Sequence, residues 1–207
     1  MTRRRLACVA RERRVRQITR LVAQMRAVRE PLRFAGAQLR RRPAVGAYTL
    51  RHSGLVCFLR HHANDLGAFE DVVLAREYEP PPPVARWLRS REGGPRIVDL
   101  GGHVGLFGLD AAHRYPGVRL TAFEPDPDNV ALYRRAVERN GLEHAISVLP
   151  YAASTASARI AFAAGLGVSS YASAITGGEH AIIDVEAVDV LPLMAQADLV
   201  KMDIEGG

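Results

Sequence analysis

The sequence predicts an α/β fold built on a parallel sheet. Three observations carry this. From Arg96 onward, short apolar runs alternate with helix-period segments, and βα units repeated in this way imply a parallel sheet with right-handed crossovers. The 207 residues are 48% hydrophobic and 24% charged, which excludes global disorder because enough apolar surface exists to offset the entropy of ordering. Acidic residues and glycines collect where the apolar runs end, the side of an open α/β sheet at which ligands sit.

The elements follow in order. Val15, Ile18, Leu21, Val22, Met25 and Val28 recur at spacings of three and four, which predicts a helix over residues 6–28. Pro31 stops or kinks it. Tyr48, Leu50 and Leu55–Leu59 flank His52-Ser53-Gly54, a hairpin pattern. Asn64 or Asp65 can cap a helix carrying Phe69, Val72, Val73 and Leu74. Pro80–Pro83 reads as a stiff linker, and a short helix over Val84–Arg91 precedes Gly93-Gly94-Pro95. Ile97–Leu100 is a strand and residues 104–114 a helix. Arg119–Phe123 is the second strand. Residues 127–140 form a helix with Val130, Leu132 (or Tyr133) and Val137 on one side and Asn140-Gly141 as its stop. Ala145–Leu149 is a third strand, 152–178 a hairpin or loop excursion, and Ile182–Val188 another strand. Asp198–Ile204 is the next parallel strand. The chain stops just past it, where a doubly wound sheet normally continues, so a fragment ending after the fourth core strand is expected. The expected organisation is a basic helical arm (1–43), a hairpin and helix segment (44–92), and the sheet domain (93–207).

Charge is unevenly spread. Residues 1–43 hold fourteen arginines against Glu12 and Glu30, a net +12, while the remainder carries a net −6. Lys201 is the only lysine. Guanidinium clusters bind phosphates, so the arm suits a solvated helix or a contact with nucleic acid, anionic lipid or a partner. Its apolar run Leu6–Ala10 is too short for a signal-peptide core of ~7–15 residues, and the expected compartment is the cytoplasm. No window approaches ~20 uninterrupted apolar residues, so no transmembrane helix is expected. With Cys8 and Cys57 alone, a disulfide framework is excluded, and no Cys/His spacing suggests zinc.

Three constellations carry chemistry. In Val98-Asp99-Leu100-Gly101-Gly102-His103-Val104-Gly105, a carboxylate ends the strand and glycines turn the chain into a helix. Glycines let backbone approach a ligand closely, and the helix start offers unpaired N–H groups. The G-x-G-x-x-G spacing of a dinucleotide turn fails at His103, and an acid there repels a pyrophosphate but suits a cationic amino or sulfonium group. The same residues would also make a plain strand-to-helix turn. In Ala122-Phe123-Glu124-Pro125-Asp126, the acid at the second strand tip can accept from both ribose hydroxyls of a nucleoside; it could equally be a solvated or capping acid, though Asp126 or Asp128 is the better cap. In Lys201-Met202-Asp203-Ile204-Glu205-Gly206, Asp203 and Glu205 could orient a hydroxyl, act as base or hold a divalent cation, or simply pair with the lysine.

Together these segments resemble the FkbM-type branch of class I S-adenosylmethionine-dependent methyltransferases. The matching stretches are Val98–Gly105, Phe123–Asp126 and the K-x-D-x-E-G run Lys201–Gly206, with Phe58-Leu59-Arg60, Asn64-Asp65 and Arg76-Glu77-Tyr78 resembling the family's upstream segment. The likeness covers residues 50–207 and implies a Rossmann-like methyltransferase sheet. It further implies that Asp99, Gly101, Gly102 and Gly105 contact the methionine part of S-adenosyl-L-methionine, that Glu124, with Pro125 beside it, holds the ribose, and that a hydroxyl of a sugar, polyketide or similar small metabolite is methylated. His103 stands where the family often has Asn or another small polar residue; it could be a base or a turn residue. Asp203 is the first candidate base, followed by Glu205 and His103. The alternatives are an RNA methyltransferase guided by the arm, a non-catalytic binding module and, more weakly, a nicotinamide dehydrogenase. The acidic body makes a nucleic-acid partner the less expected one, and no metal or oligomeric state is specified.

Overall fold

The computed structural model describes residues 3–40, 44–164 and 181–204. At its centre is a four-stranded, wholly parallel sheet: β3 (Arg96–Leu100), β4 (Arg119–Phe123), β5 (Ile146–Leu149) and β9 (Leu199–Met202), in the order β5-β4-β3-β9. The α/β class expected from the alternating pattern is the one observed. The chain moves outward from β3 to β5 and then returns to add β9 on the other side of β3. Strand order therefore reverses between β3 and β9, and an open α/β sheet forms its ligand crevice outside the strand tips at such a reversal. Register places Asp99 beside Lys201 and Leu100 beside both Met202 and Phe123.

Helices α5 (Leu106–Arg114) and α6 (Pro127–Arg139) cover one face. Phe107, Ala111, Val130, Tyr133 and Val137 pack there on Ile97, Leu120, Ala122, Ile146 and Val148. Of the two α6 candidates, Tyr133 is the core residue. The α6 start is well specified: Pro127 stands in the first turn, and the Asp126 side chain accepts from the N–H groups of Asp128 and Asn129. It ends at Asn140, followed by Gly141 at φ 64°. The opposite face, built on Val98, Leu100 and Phe123, is covered by Val190, Met194 and Ala197. The excursion expected over 152–178 begins as β6 (Ala152–Ser154) and β7 (Ala158–Ala164), which flank β8 (Ala181–Asp189) in a separate three-stranded sheet. The rest of that excursion lies outside the described residues.

The segment before the sheet is a second packed layer. Helix α1 (Arg3–Ala27) is followed by α2 (Pro31–Leu39), then by the antiparallel pair β1 (Ala44–Thr49) and β2 (Val56–His61). The first helix stops at Ala27, before Pro31, with Val28 already bridged to Leu50; Pro31 instead opens the second helix, a position suited to a residue without an N–H. Val28, Phe34, Tyr48, Leu59 and Phe69 form one cluster that reaches Val104 and Leu109 of the sheet domain. The second half of the basic arm is thus packed, and Glu30 fixes it by accepting from the Thr49 N–H at 2.9 Å and the Thr49 hydroxyl at 2.8 Å. The α1 stripe is only partly used: Val28 is fully buried, whereas Val15 and Ile18 are 56% and 63% exposed.

After β2 comes α3 (Asp65–Phe69), which continues without a break as a π-helical turn, Glu70–Ala75. The cap expected from Asn64 or Asp65 makes no side-chain cap bond. Asp65 turns back to Arg60 instead. Helix α4 (Pro82–Arg89) begins inside the proline run, so Pro82 and Pro83 form its first turn rather than the end of a linker, and it starts and stops two residues before the expected Val84–Arg91. Among the described residues, no helix is long and apolar enough to cross a membrane.

Candidate active site at the strand tips

Asp99, the last polar residue of β3, is fully buried. The Lys201 ammonium on the neighbouring strand stands 3.2 Å from its Oδ1, and among the described residues no other donor reaches either carboxylate oxygen. Burial pushes the Asp99 carboxyl above the usual range, and the Lys201 charge opposes that push. Lys201 also donates to the Gly101 carbonyl at 2.6 Å, lies 3.9 Å from Asp203 Oδ2, and sits 5.2 Å from the centre of the Tyr78 ring.

The turn that follows is tied to β4. The N–H groups of Gly101 and Gly102 both donate to the Phe123 carbonyl at 3.0 Å. Gly101 has φ 81°, and a Cβ there would stand 2.1 Å from the Asp203 carbonyl oxygen; only glycine fits. His103 takes the left-handed region too, at φ 48°. Its N–H donates to Glu124 Oε2 at 2.7 Å, and its ring is buried with Nε2 3.4 Å from Asp65 Oδ1. Burial outweighs the Asp65 charge and lowers the ring to about 4. The imidazole is therefore neutral at pH 7 and too weak a base for a hydroxyl, so the geometry favours the turn role of His103.

Glu124 is almost wholly buried. Its Oε2 accepts from His103, and its Oε1 accepts from the Asp126 N–H at 3.0 Å and from Asn129 Nδ2 at 3.1 Å. A carboxylate offers about four acceptor positions; the described residues fill three, and among them none fills the second position on Oε2. Burial raises this carboxyl above its ordinary value, and the three donors work against that.

Asp203 follows β9, its N–H bonded to the Leu100 carbonyl at 2.9 Å. The Tyr78 hydroxyl donates to its Oδ2 at 2.7 Å. Burial, then the Asp203 carboxylate, holds the Tyr78 phenol well above its usual range. Asp71, on the π-helical turn, is likewise raised, by burial and by the charges of Glu70 and Asp203. These groups share one cleft: Gly101, Gly102, His103, Lys201 and Asp203 from the sheet domain face Asp71, Val72 and Tyr78. Asp99, Gly105, Glu124 and Pro125 do not line it; Pro125 is half-buried between the two acids. Glu205 lies outside the described residues. The sequence pattern thus found one wall of the cleft and missed the other. Lys201 stood in plain view as the chain's only lysine, while Asp71 and Tyr78 gave no sign that they fold back onto the strand tips. Among the described residues, no group of three or more His, Cys, Asp or Glu side chains is placed to hold a metal ion.

No protein-family profile matches the chain, and no curated protein sequence does. Solved structures overlay in part. A SAM-dependent methyltransferase from Agrobacterium tumefaciens is 18% identical, with a TM-score of 0.41, over 54% of this chain and 34% of that one. P. horikoshii TYW2 in complex with MeSAdo gives 16% and 0.35, over 54% and 37%. Methanocaldococcus jannaschii Trm5 in complex with adenosine gives 17% and 0.34, over 53% and 30%. The chain spans about a third of the length of these structures, and overlays of this extent assign no activity.

Proposed function

We propose that this protein is an S-adenosyl-L-methionine-dependent O-methyltransferase of the FkbM type, acting on a hydroxyl of a sugar, polyketide or similar small metabolite. The observation that carries the reading is the join between the first two strand tips: a buried glutamate at the end of β4 that holds the backbone of the glycine turn after β3, with one acceptor position unfilled among the described residues. That position suits a ribose hydroxyl. The turn at Gly101-Gly102 supplies bare backbone on the same side of the sheet, and beneath it Asp99 is paired with Lys201, which lines the cleft. When bound, the cofactor supplies an activated methyl group. The chain supplies alignment and exclusion of water. Asp203 spends Oδ2 on Tyr78, and its other oxygen is the candidate to take the proton of the acceptor hydroxyl.

Calorimetry with S-adenosylhomocysteine tests this. The unsubstituted chain should bind it, and Glu124→Ala should weaken binding by about 1–3 kcal/mol, the cost of a charge-assisted hydrogen bond. Equal affinity in the two would end the ribose assignment. A nucleic-acid acceptor is the second reading, favoured by the fourteen arginines of residues 1–43. It requires RNA binding that falls steeply as salt rises.

A further inference from the structure

Glu124 belongs to a chain of hydrogen-bonded polar groups, and two of its members come from outside the sheet domain. Asp65, fully buried at the start of α3, accepts from the Arg60 N–H at 2.7 Å and from Arg60 Nη2 at 2.8 Å. The same Nη2 donates to Asn129 Oδ1 in the first turn of α6. Asn129 Nδ2 donates to Glu124 Oε1 at 3.1 Å. Glu124 Oε2 accepts from the His103 N–H at 2.7 Å, and the His103 ring returns to within 3.4 Å of Asp65.

We infer that Arg60 and Asp65 are positioning residues for the Glu124 carboxylate. The inference rests on the cofactor reading above and deepens it. Its logic is the direction of the donors. A guanidinium only donates, and a carboxylate only accepts. The Asn129 amide between them has one permitted orientation, oxygen toward Arg60 and nitrogen toward Glu124. Without the guanidinium, the amide oxygen loses the donor that anchors it, and the amide nitrogen is free to swing away from the carboxylate. Asp65 holds the guanidinium through its planar fork, which a lysine cannot reproduce. The result is a Glu124 whose remaining acceptor position is aimed by residues some sixty positions earlier in the chain.

Strand β2 brings Arg60 to this point by lying along α6. At the far end of that helix, the Asn140 side chain accepts from the Val56 N–H and donates to the Val56 carbonyl, both at 2.8 Å. Between the two ends, the Arg135 guanidinium lies 4.2 Å over the Phe58 ring. These anchors do not involve Arg60, so Arg60→Lys should leave the strand in place.

The test compares S-adenosylhomocysteine with its 2′,3′-dideoxyribose analogue by calorimetry, on the unsubstituted chain, Arg60→Lys, Asn129→Ala and Glu124→Ala. The unsubstituted chain should prefer the natural ribose. Arg60→Lys and Asn129→Ala should each lose about tenfold of that preference, as expected when a hydrogen bond to a charged group is misaimed, while binding the dideoxy analogue as before. Glu124→Ala sets the full loss. A preference that survives in both Arg60→Lys and Asn129→Ala overturns the positioning role alone. Equal weakening toward both ligands also overturns it, since that is the mark of general structural damage. Failure of the unsubstituted chain to bind either ligand overturns the cofactor reading and the inference with it.

Discussion

Lys201 Nζ stands 3.2 Å from Asp99 Oδ1, across the single pair of strands at which the order of the sheet reverses. The carboxylate is fully buried and the lysine 8% exposed. Such a pair contributes little net stability compared with apolar residues, but breaking it from one side leaves a buried charge without compensation. Lys201→Met should therefore cost about 3–5 kcal/mol in urea unfolding. Adding Asp99→Asn should recover much of that loss. A double variant no more stable than Lys201→Met would show that the ion pair is not what the lysine provides.

The Tyr133 ring fills the space that three glycines leave open. A Cβ at Gly108 would stand 1.8 Å from the Tyr133 hydroxyl and 2.9 Å from Cζ. That hydroxyl is buried and has no hydrogen-bond partner among the described residues. Removing an unsatisfied buried polar group recovers its desolvation penalty, so Tyr133→Phe should be neutral or stabilising by up to about 1 kcal/mol. Gly108→Ala, which in an exposed helix would gain about 1 kcal/mol, should destabilise here. The loss should be smaller when Tyr133→Phe is present. Additive effects in thermal unfolding of the pair would contradict the contact.

The sheet was legible because each of its strands is short, apolar and bounded by turn residues, and because the helices between keep a clean period. What periodicity could not show was anything depending on contacts across long sequence separations. The Tyr78–Asp203 hydrogen bond spans 125 positions, and nothing near Tyr78 in the sequence marks it as a wall of the cleft. The π-helical turn at Glu70–Ala75 looks like ordinary helix in the sequence, since an apolar stripe at spacings of three and four does not reveal an i to i+5 bond. Helix α2 is not evident in the sequence because a proline after a helical stripe reads as a stop, whereas Pro31 is the start of the next helix. Glu124 was found from its place after an apolar run, but its run of hydrogen bonds through Asn129 and Arg60 needed the two layers packed together.

Asp203 separates binding from chemistry. It lines the cleft, half-exposed, and its contacts are to Tyr78 and Lys201 rather than to Glu124 or Asn129. Asp203→Asn should leave affinity for S-adenosylhomocysteine within about twofold, because no charge-assisted bond to the ribose is lost. Transfer of a labelled methyl group, measured on whichever sugar or polyketide hydroxyl the unsubstituted protein methylates, should fall by about 10²–10⁴-fold, the contribution of a positioned base. Turnover that survives the substitution removes Asp203 from the role. Loss of cofactor affinity instead would move it to the cofactor site.

His103 should make the fold acid-sensitive. Burial holds its ring at about 4, against 6.5 for an ordinary histidine. Between those values the unfolded chain binds the proton and the folded chain refuses it. The contribution is therefore fully present above 6.5 and is lost as pH falls toward 4, by on the order of 3 kcal/mol. Asp99 and Glu124 have the opposite sign: their carboxyls are raised by burial, so each contributes stability below the usual carboxylate range that is lost as pH rises through the raised value. They remain in both proteins when His103 alone is replaced. Asn tolerates the left-handed conformation that His103 adopts at φ 48°, so His103→Asn should keep the turn and its N–H bond to Glu124. Urea unfolding at a series of pH values from 7 to 4 should then give a shallower loss of stability for His103→Asn than for the unsubstituted chain. Parallel curves would mean that the ring takes up its proton as easily folded as unfolded, and that the packing around Asp65 is looser than the 3.4 Å contact implies.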